Sequence, residues 1–292
     1  MNKPATHVVI IGCGDIGTMV ARKYLDKGLQ VTALIRTNES LNRLQSLGID
    51  TIQQDLSEVF EFDQNIAGSQ MFYFAPPPAS GFKDTHTTHL INALQGSSQL
   101  PGRIVYISTT GVYGNCEGRW ITEDEPVNPQ ADRARRRLDA EQQLLTWSQV
   151  SGVEVVILRV AGIYGPGKLP LARLKKGLPV IREAESPFTN RIHSTDLVNI
   201  AIAAMNKGRA GEIYHACDGH PGTMADYFKK VAHKAGFTAP PEISLHEGKE
   251  KLSEGMMSYM RESRRLSNRK MCEELGVELR FPTLSAGLAK CI

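Results

Sequence analysis

The stretch THVVIIGCGDIG, which begins at residue 6, sets the tightest limit on what this chain can fold into. A continuous β-branched run with no polar alternation belongs to a strand buried on both faces (THVVIIG, 6–12). It leads into Gly12, Gly14 and Gly17 in G-x-G-x-x-G spacing, then into TMVARKYLDKG, which has helical spacing and a natural stop at Gly28. In a strand–turn–helix each glycine has its own task. Gly12 permits the tight turn, Gly14 lets the backbone approach a pyrophosphate, and Gly17 lets the helix pack close to the strand. The helix N-terminus, at Asp15 and Ile16, offers N–H groups and a partial positive charge to phosphates. The plainer alternative is a glycine turn that holds nothing.

The pattern repeats. LQVTALIR (29–36) predicts a second strand and ESLNRLQSLG a second helix ended by Gly48. MFYFAPPP (71–78) reads as a strand broken by prolines, and THLINALQ as a helix. GRIVYIST (102–109) and VEVVILRV (153–160) are further buried strands, with a long helix from about Gln130 to Gln149 between them. Strands alternating with helices imply a parallel sheet with helices on both faces. The expected fold is therefore α/β, a Rossmann-type doubly wound parallel sheet. After Gly165 the pattern loosens into short strands, prolines and helices, which predicts a smaller C-terminal substrate lobe. RIHSTDLVNIAIAAM and GEIYHAC return to the main sheet. The expected division is 1–160 plus 191–216 for the dinucleotide-binding domain and 161–190 plus 217–292 for the lobe.

Composition excludes several alternatives. A net charge of +3 over 292 residues is too mild to argue for a nucleic-acid partner. The cysteines number five, an odd count with no C-x-x-C pair, so neither a disulfide framework nor a thiolate metal site is expected, and a cytoplasmic setting is the simplest. No apolar run approaches the roughly 20 residues that span a bilayer. The run VVIIG leads straight into the glycine turn, so it reads as a strand and not as a signal sequence.

The residue about 20 positions beyond the glycines decides which dinucleotide is read. An acidic residue there would bind the ribose 2′-OH of NAD. Here Arg36 ends the second strand with no carboxylate beside it, and a guanidinium suits a 2′-phosphate. The expected cofactor is NADP, with NAD less favoured. The alternative is that Arg36 stacks on adenine.

The strand ends carry more. QQDLSE follows the third strand, FYFAPPP the fourth, YISTTGVYG the fifth and LRVAGIYGPG the sixth, with NRIHSTDLVNIAIAA and EIYHACDG after them. This series resembles the extended short-chain dehydrogenase/reductases, the NAD-dependent epimerase/dehydratase family, over about residues 6–285. The resemblance implies that Asp55 and Leu56 contact adenine. It also implies that Ala75, Pro76 and Pro77 line the ribose and nicotinamide side, and that Thr109 holds the place of the catalytic Ser/Thr. The family carries Tyr-x-x-x-Lys on the helix after VYG, with a Glu four residues later. Glu141 looks like that Glu, which puts Arg137 at the Lys position and Arg133 at the Tyr position. The chain thus resembles an atypical branch lacking the Tyr-x-x-x-Lys pair.

This departure matters chemically. The stretch ADRARRRLDAEQQL holds Arg133, Arg135, Arg136 and Arg137. An arginine stays protonated and cannot act as a general acid/base near neutral pH. It can clamp a carboxylate or phosphate, or stabilise a developing oxyanion. Three readings compete: a solvated basic helix face, which suits Arg135 and Arg136, a cofactor role, and a substrate role. Arg133 and Arg137 fit the last two together.

Other candidates are weaker. HTTH (His86, His89) reads as a polar loop rather than a metal site. By the resemblance, Arg191 and His193 are candidate substrate contacts, weighed against a packing role. The resemblance also implies that Tyr113 and Tyr164 shape the cleft, and the sequence shows no partner to lower their pKa. MRESRRLSNRKM (260–271) reads as solvated surface, and Cys13 as a small apolar filler. The expected function is an NAD(P)-dependent epimerase/dehydratase-like oxidoreductase acting on a small polar substrate such as a sugar nucleotide. The alternative is a catalytically inactive NADP-binding sensor that acts through a protein partner. A small molecule is the expected partner, with neither nucleic acid nor membrane, and the resemblance leaves room for a homodimer.

Overall fold

The computed structural model describes residues 7–62, 65–97 and 99–292. Thr6, the first residue of the expected opening strand, lies outside them. By packing, the chain divides into two compact units. The first comprises residues 1–109, 132–159 and 198–213, and the second 110–131, 160–197 and 214–292. Residues 110–131, 160, 191–197 and 214–216, which sequence reasoning grouped with the dinucleotide-binding domain, thus fall in the second unit.

The first unit is built on β1 (His7–Ile11), β2 (Gln30–Ile35), β3 (Asp50–Gln53), β4 (Gln70–Tyr73) and β5 (Arg103–Thr109). The sheet has seven parallel strands in the order Ile213–Ala216, Glu154–Val160, β5, β4, β1, β2, β3. Four residues of β1, Val8 to Ile11, are buried, as its unbroken apolar run requires. β1 pairs in parallel with β2 on one side and β4 on the other. Strand order therefore reverses at β1/β4. In open α/β sheets ligands bind in the crevice outside the carboxyl ends of the strands at such a switch point.

Helices follow the strands. α1 (Asp15–Leu25) starts after the glycine turn, and α2 (Asn38–Gln45) starts at the Thr37 cap. α3 (Thr85–Gly96) and α4 (Asp132–Ser151) pack against each other. The HTTH segment is the first turn of α3 and not the expected loop. Asp84 caps it by accepting the Thr87 N–H at 3.0 Å. The core of this unit joins Val9, Ile11, Tyr73, Tyr106, Leu144 and Ile157.

The second unit is held by short ladders between distant segments. Gly162–Tyr164 pairs with Arg191–His193, and Trp120–Ile121 with Arg265–Leu266. Phe188–Thr189 pairs antiparallel with Gly222–Thr223. Tyr164, Val180, Phe228, Val231 and Leu288 form its core. Among the described residues, no helix is long and apolar enough to cross a membrane.

Candidate dinucleotide site

A cavity of about 300 Å³ opens at the switch point, within the first unit. Its walls come from the ends of successive strands: Ile11 to Gly14 after β1, Leu34 to Thr37 after β2, Gln54 to Leu56 after β3, and Phe74 to Pro76 after β4. Its size is at the lower end of ordinary ligand sites.

The glycine turn is sterically enforced. Gly12 has φ of 83°, and a Cβ there would stand 2.5 Å from the Ala75 backbone. A side chain would therefore push the two strand ends apart. At Gly17 a Cβ would meet Ile10 Cγ2 at 3.1 Å, so the helix can sit close only without one. Gly14 is the α1 N-cap and supplies no side-chain cap, and the space over its Cα is open. Backbone N–H groups at a helix start, with nothing filling the approach, suit a pyrophosphate. Cys13 is buried in the turn, and burial pushes its thiol up to about 11, so it behaves as an inert filler.

Arg36 is exposed at the cavity edge beside Thr37 and Ser40. Among the described residues, no carboxylate forms an ion pair with its guanidinium. After the neighbouring strand β3, Asp55 accepts the Ser57 N–H at 2.9 Å and the Ser57 hydroxyl at 2.8 Å. These bonds hold its carboxyl below the usual range. A cation and two hydroxyls at one end, with an ionised carboxylate and apolar Leu56 nearby, suit the adenosine half of a dinucleotide.

The structure brings together Gly12, Gly14, Arg36, Asp55, Leu56, Ala75 and Pro76 in one cavity wall. Asp15, Ile16 and Gly17 form the start of α1, and Pro77 follows Pro76; none of these four lines the cavity. Sequence reasoning missed Thr37, Ser40 and His86. His86 reaches the wall from α3, with Nδ1 3.1 Å from the Pro76 carbonyl. His89 Nδ1 lies 2.8 Å from the Leu56 carbonyl, so both histidines steady cavity walls. Among the described residues, no cluster of His, Cys, Asp and Glu could hold a metal.

The arginines of α4 separate in a way their sequence does not disclose. Arg135 is exposed, pairs with Asp132 and lies over Phe82. Arg136, expected on a solvated face, is instead 6% exposed and donates to the Gly81 carbonyl at 2.6 Å. Arg137 sits behind the cavity wall. Its Nη1 donates to the carbonyls of Ala75 (3.1 Å) and Ile107 (2.9 Å) and to the Tyr106 hydroxyl (3.0 Å). Arg137 thus ties the ends of β4 and β5 without lining the cavity. Thr109 and Arg133 are half-buried in the same unit, and neither lines the cavity. Glu141 is 1% exposed, ion-paired with Arg159 at 2.8 Å and bonded to Ser108, so it anchors α4 to the sheet.

In the second unit Arg191 lines a separate cavity, and the neighbouring His193 does not. His193 is 2% exposed, accepts the Thr195 N–H at 3.1 Å and packs 4.1 Å from the Phe281 ring. Tyr113 has a partner that sequence reasoning did not find: its hydroxyl lies 2.6 Å from His215 Nε2, with both residues buried. Tyr164 donates to the Thr283 carbonyl at 3.2 Å. The basic stretch 260–271 is less solvated than expected. Arg264 bonds Glu262 and the Gly114 carbonyl, and Arg265 lies over the Phe188 and Trp120 rings.

The family model described as NAD(P)H-binding matches residues 12–207. Protein YeeZ of Escherichia coli K12 is 27% identical over 286 residues, covering 94% of this chain and 96% of its own. A dTDP-glucose 4,6-dehydratase of Streptomyces niveus is 27% identical over 77% of this chain and 76% of its own. A functionally unknown conserved protein from Silicibacter pomeroyi has a solved structure that is 26% identical, covers 97% of both chains and superposes with a TM-score of 0.83. The dTDP-glucose 4,6-dehydratase of Bacillus anthracis, solved in complex with NAD, shares the fold at 19% identity, with a TM-score of 0.77 over 98% of this chain and 95% of its own. The resemblance to extended short-chain dehydrogenase/reductases holds in both relatives and fold.

Proposed function

Because the chain belongs to the NAD(P)H-binding family, we propose that it is an NADP-preferring oxidoreductase of the epimerase/dehydratase kind, acting on a small polar substrate such as a nucleotide sugar. The observation that carries the cofactor preference is Arg36, a guanidinium with no ion-pair partner among the described residues, at the edge of the cavity that also holds the glycine turn. The substrate class is supported by the dehydratases among the relatives.

Bound NADP(H) would supply hydride chemistry. The chain's own residues do the holding. The Gly12–Gly14 backbone receives the pyrophosphate, Arg36 with Thr37 and Ser40 receives the 2′-phosphate, and Asp55 and Leu56 flank the adenosine. Arg137 acts as a positioning residue by fixing the Ala75 and Ile107 carbonyls that shape the crevice. Thr109 and Arg133 orient the substrate oxygen in this reading. Arg133 and Arg137 stay protonated, so neither passes a proton, and Arg133 stabilises negative charge on the substrate.

Calorimetric titration with NADPH and NADH tests the cofactor assignment. NADPH should bind tighter by about tenfold or more, the scale of a charge-assisted hydrogen bond, and Arg36→Ala should erase the difference. Equal affinity of the native protein for both would overturn the preference. NADPH binding with no oxidation across carbonyl and nucleotide-sugar substrates would favour a sensor, the reading that Arg133 and Arg137 at the relay positions also suit.

A further inference from the structure

Arg191 opens the strand Arg191–His193 of the second unit, and its charge is poorly matched. Nη1 donates to the Asn190 carbonyl at 3.2 Å and Nη2 to the Met224 sulfur at 3.3 Å, both uncharged acceptors. The guanidinium lies 4.2 Å from the Tyr227 ring centre. A guanidinium has five N–H donors, so three remain after these contacts, and the Nε–H is buried without a partner. No carboxylate pairs with it among the described residues. Asp218 acts on it through space, but the Asp218 Oδ2 is itself buried and unbonded. Burying an unpaired cation is unfavourable, and a bound anion relieves that cost.

Arg191 lines a cavity of about 310 Å³ with Thr189, His220, Thr223, Asp226, Lys230 and Ser285. Lys230 is steadied by Asp226 at 2.8 Å. Hydroxyls and two cations, one of them offset by Asp226, leave the pocket with a net positive charge that suits an anionic group.

We propose that this pocket binds an oxyanion, the phosphate or carboxylate of a small-molecule ligand, gripped by Arg191 with Lys230 at the rim. Identifying the occupant as the substrate's anionic group rests on the oxidoreductase reading above; the pocket itself does not.

The test is calorimetry on the full chain at fixed ionic strength, with NADPH present so that the first cavity is filled. Inorganic pyrophosphate, inorganic phosphate and succinate are the probes. At least one should bind more tightly than about 10 mM. Arg191→Met should weaken it about tenfold and Lys230→Ala about threefold, with NADPH affinity unchanged in both. Preference for phosphates over succinate assigns a phosphate ester, and the reverse a carboxylate. In chloride buffer Arg191→Met should melt no lower than the native protein, because it removes a buried unpaired charge; a purely structural arginine would give a large drop in Tm. Lys230 is partly exposed, so its variant keeps the test alive should Arg191→Met fail to fold. Absence of binding by every probe, or equal binding by native protein and variants, would sink the pocket. Oxyanion binding by a chain that takes up no NADPH would uphold the pocket and sink the oxidoreductase reading.

Discussion

At the scale of the residue, Asp218 shows how burial becomes pH dependence. Its side chain is almost fully enclosed, Oδ1 accepts the His220 N–H at 3.0 Å, and burial pushes the carboxyl up to about 6. The unfolded value is about 3.9. Between those pH values the folded chain holds a proton that the unfolded chain releases, so stability falls as pH rises from about 4 to about 6. Above that window the cost is complete. Asp218→Asn keeps the acceptor and removes the charge, so it should stabilise the protein at pH 7.5 by about 2–3 kcal/mol and have little effect at pH 4. Urea denaturation at the two pH values measures this; destabilisation at pH 7.5 would mean that the carboxylate is favourably paired. Nothing in the local sequence announced this enclosure. The same holds for Arg136, whose acceptor at Gly81 lies 55 residues away.

Among the elements, α2 meets the cavity at its start. Thr37 caps it by accepting the Ser40 N–H at 3.3 Å, and both residues line the cavity. Arg43, near its other end, donates to the Thr18 hydroxyl at 3.0 Å and to the Cys13 carbonyl at 3.2 Å, so the helix also braces the glycine turn. Thr37→Ala should lower stability by about 1 kcal/mol and weaken NADPH binding several-fold. Thermal melts and titration of the same variant check both, and unchanged affinity would place α2 outside the binding site. Strands were legible because unbroken apolar runs such as VVII and VVIL have few other uses. α3 was legible from Thr88 onward, but its first turn was not, because its buried face begins with Thr87, whose hydroxyl lies 3.0 Å from that of Tyr73. A polar residue on the buried face conceals the helical period.

For the whole molecule, the alternation of strand and helix was enough to read the sheet, and the glycine spacing to read one wall of the cavity. The second unit was harder. Its ladders are two or three residues long and join segments as far apart as Trp120–Ile121 and Arg265–Leu266, so they leave no periodic trace. Ligand linkage should resolve the units separately. NADPH at about 100 times its Kd adds about 2.7 kcal/mol to the state that binds it. Hydrogen exchange should then slow around 11–14, 34–40, 54–56 and 74–76 while leaving 220–230 unchanged. Slowing confined to the second unit would refute the cofactor assignment.

The grip of Arg137 has a consequence for chemistry over a range of acidity. Two strand ends are joined by a group that keeps its proton at every pH at which the chain stays folded. A lysine so placed could shed its charge in alkaline solution and let the strand ends relax; the guanidinium is a fixed brace. The tie between these two strand ends is therefore insulated from titration. Any acid or alkaline limb in a rate profile would have to originate with the reactants, or with side chains other than this one.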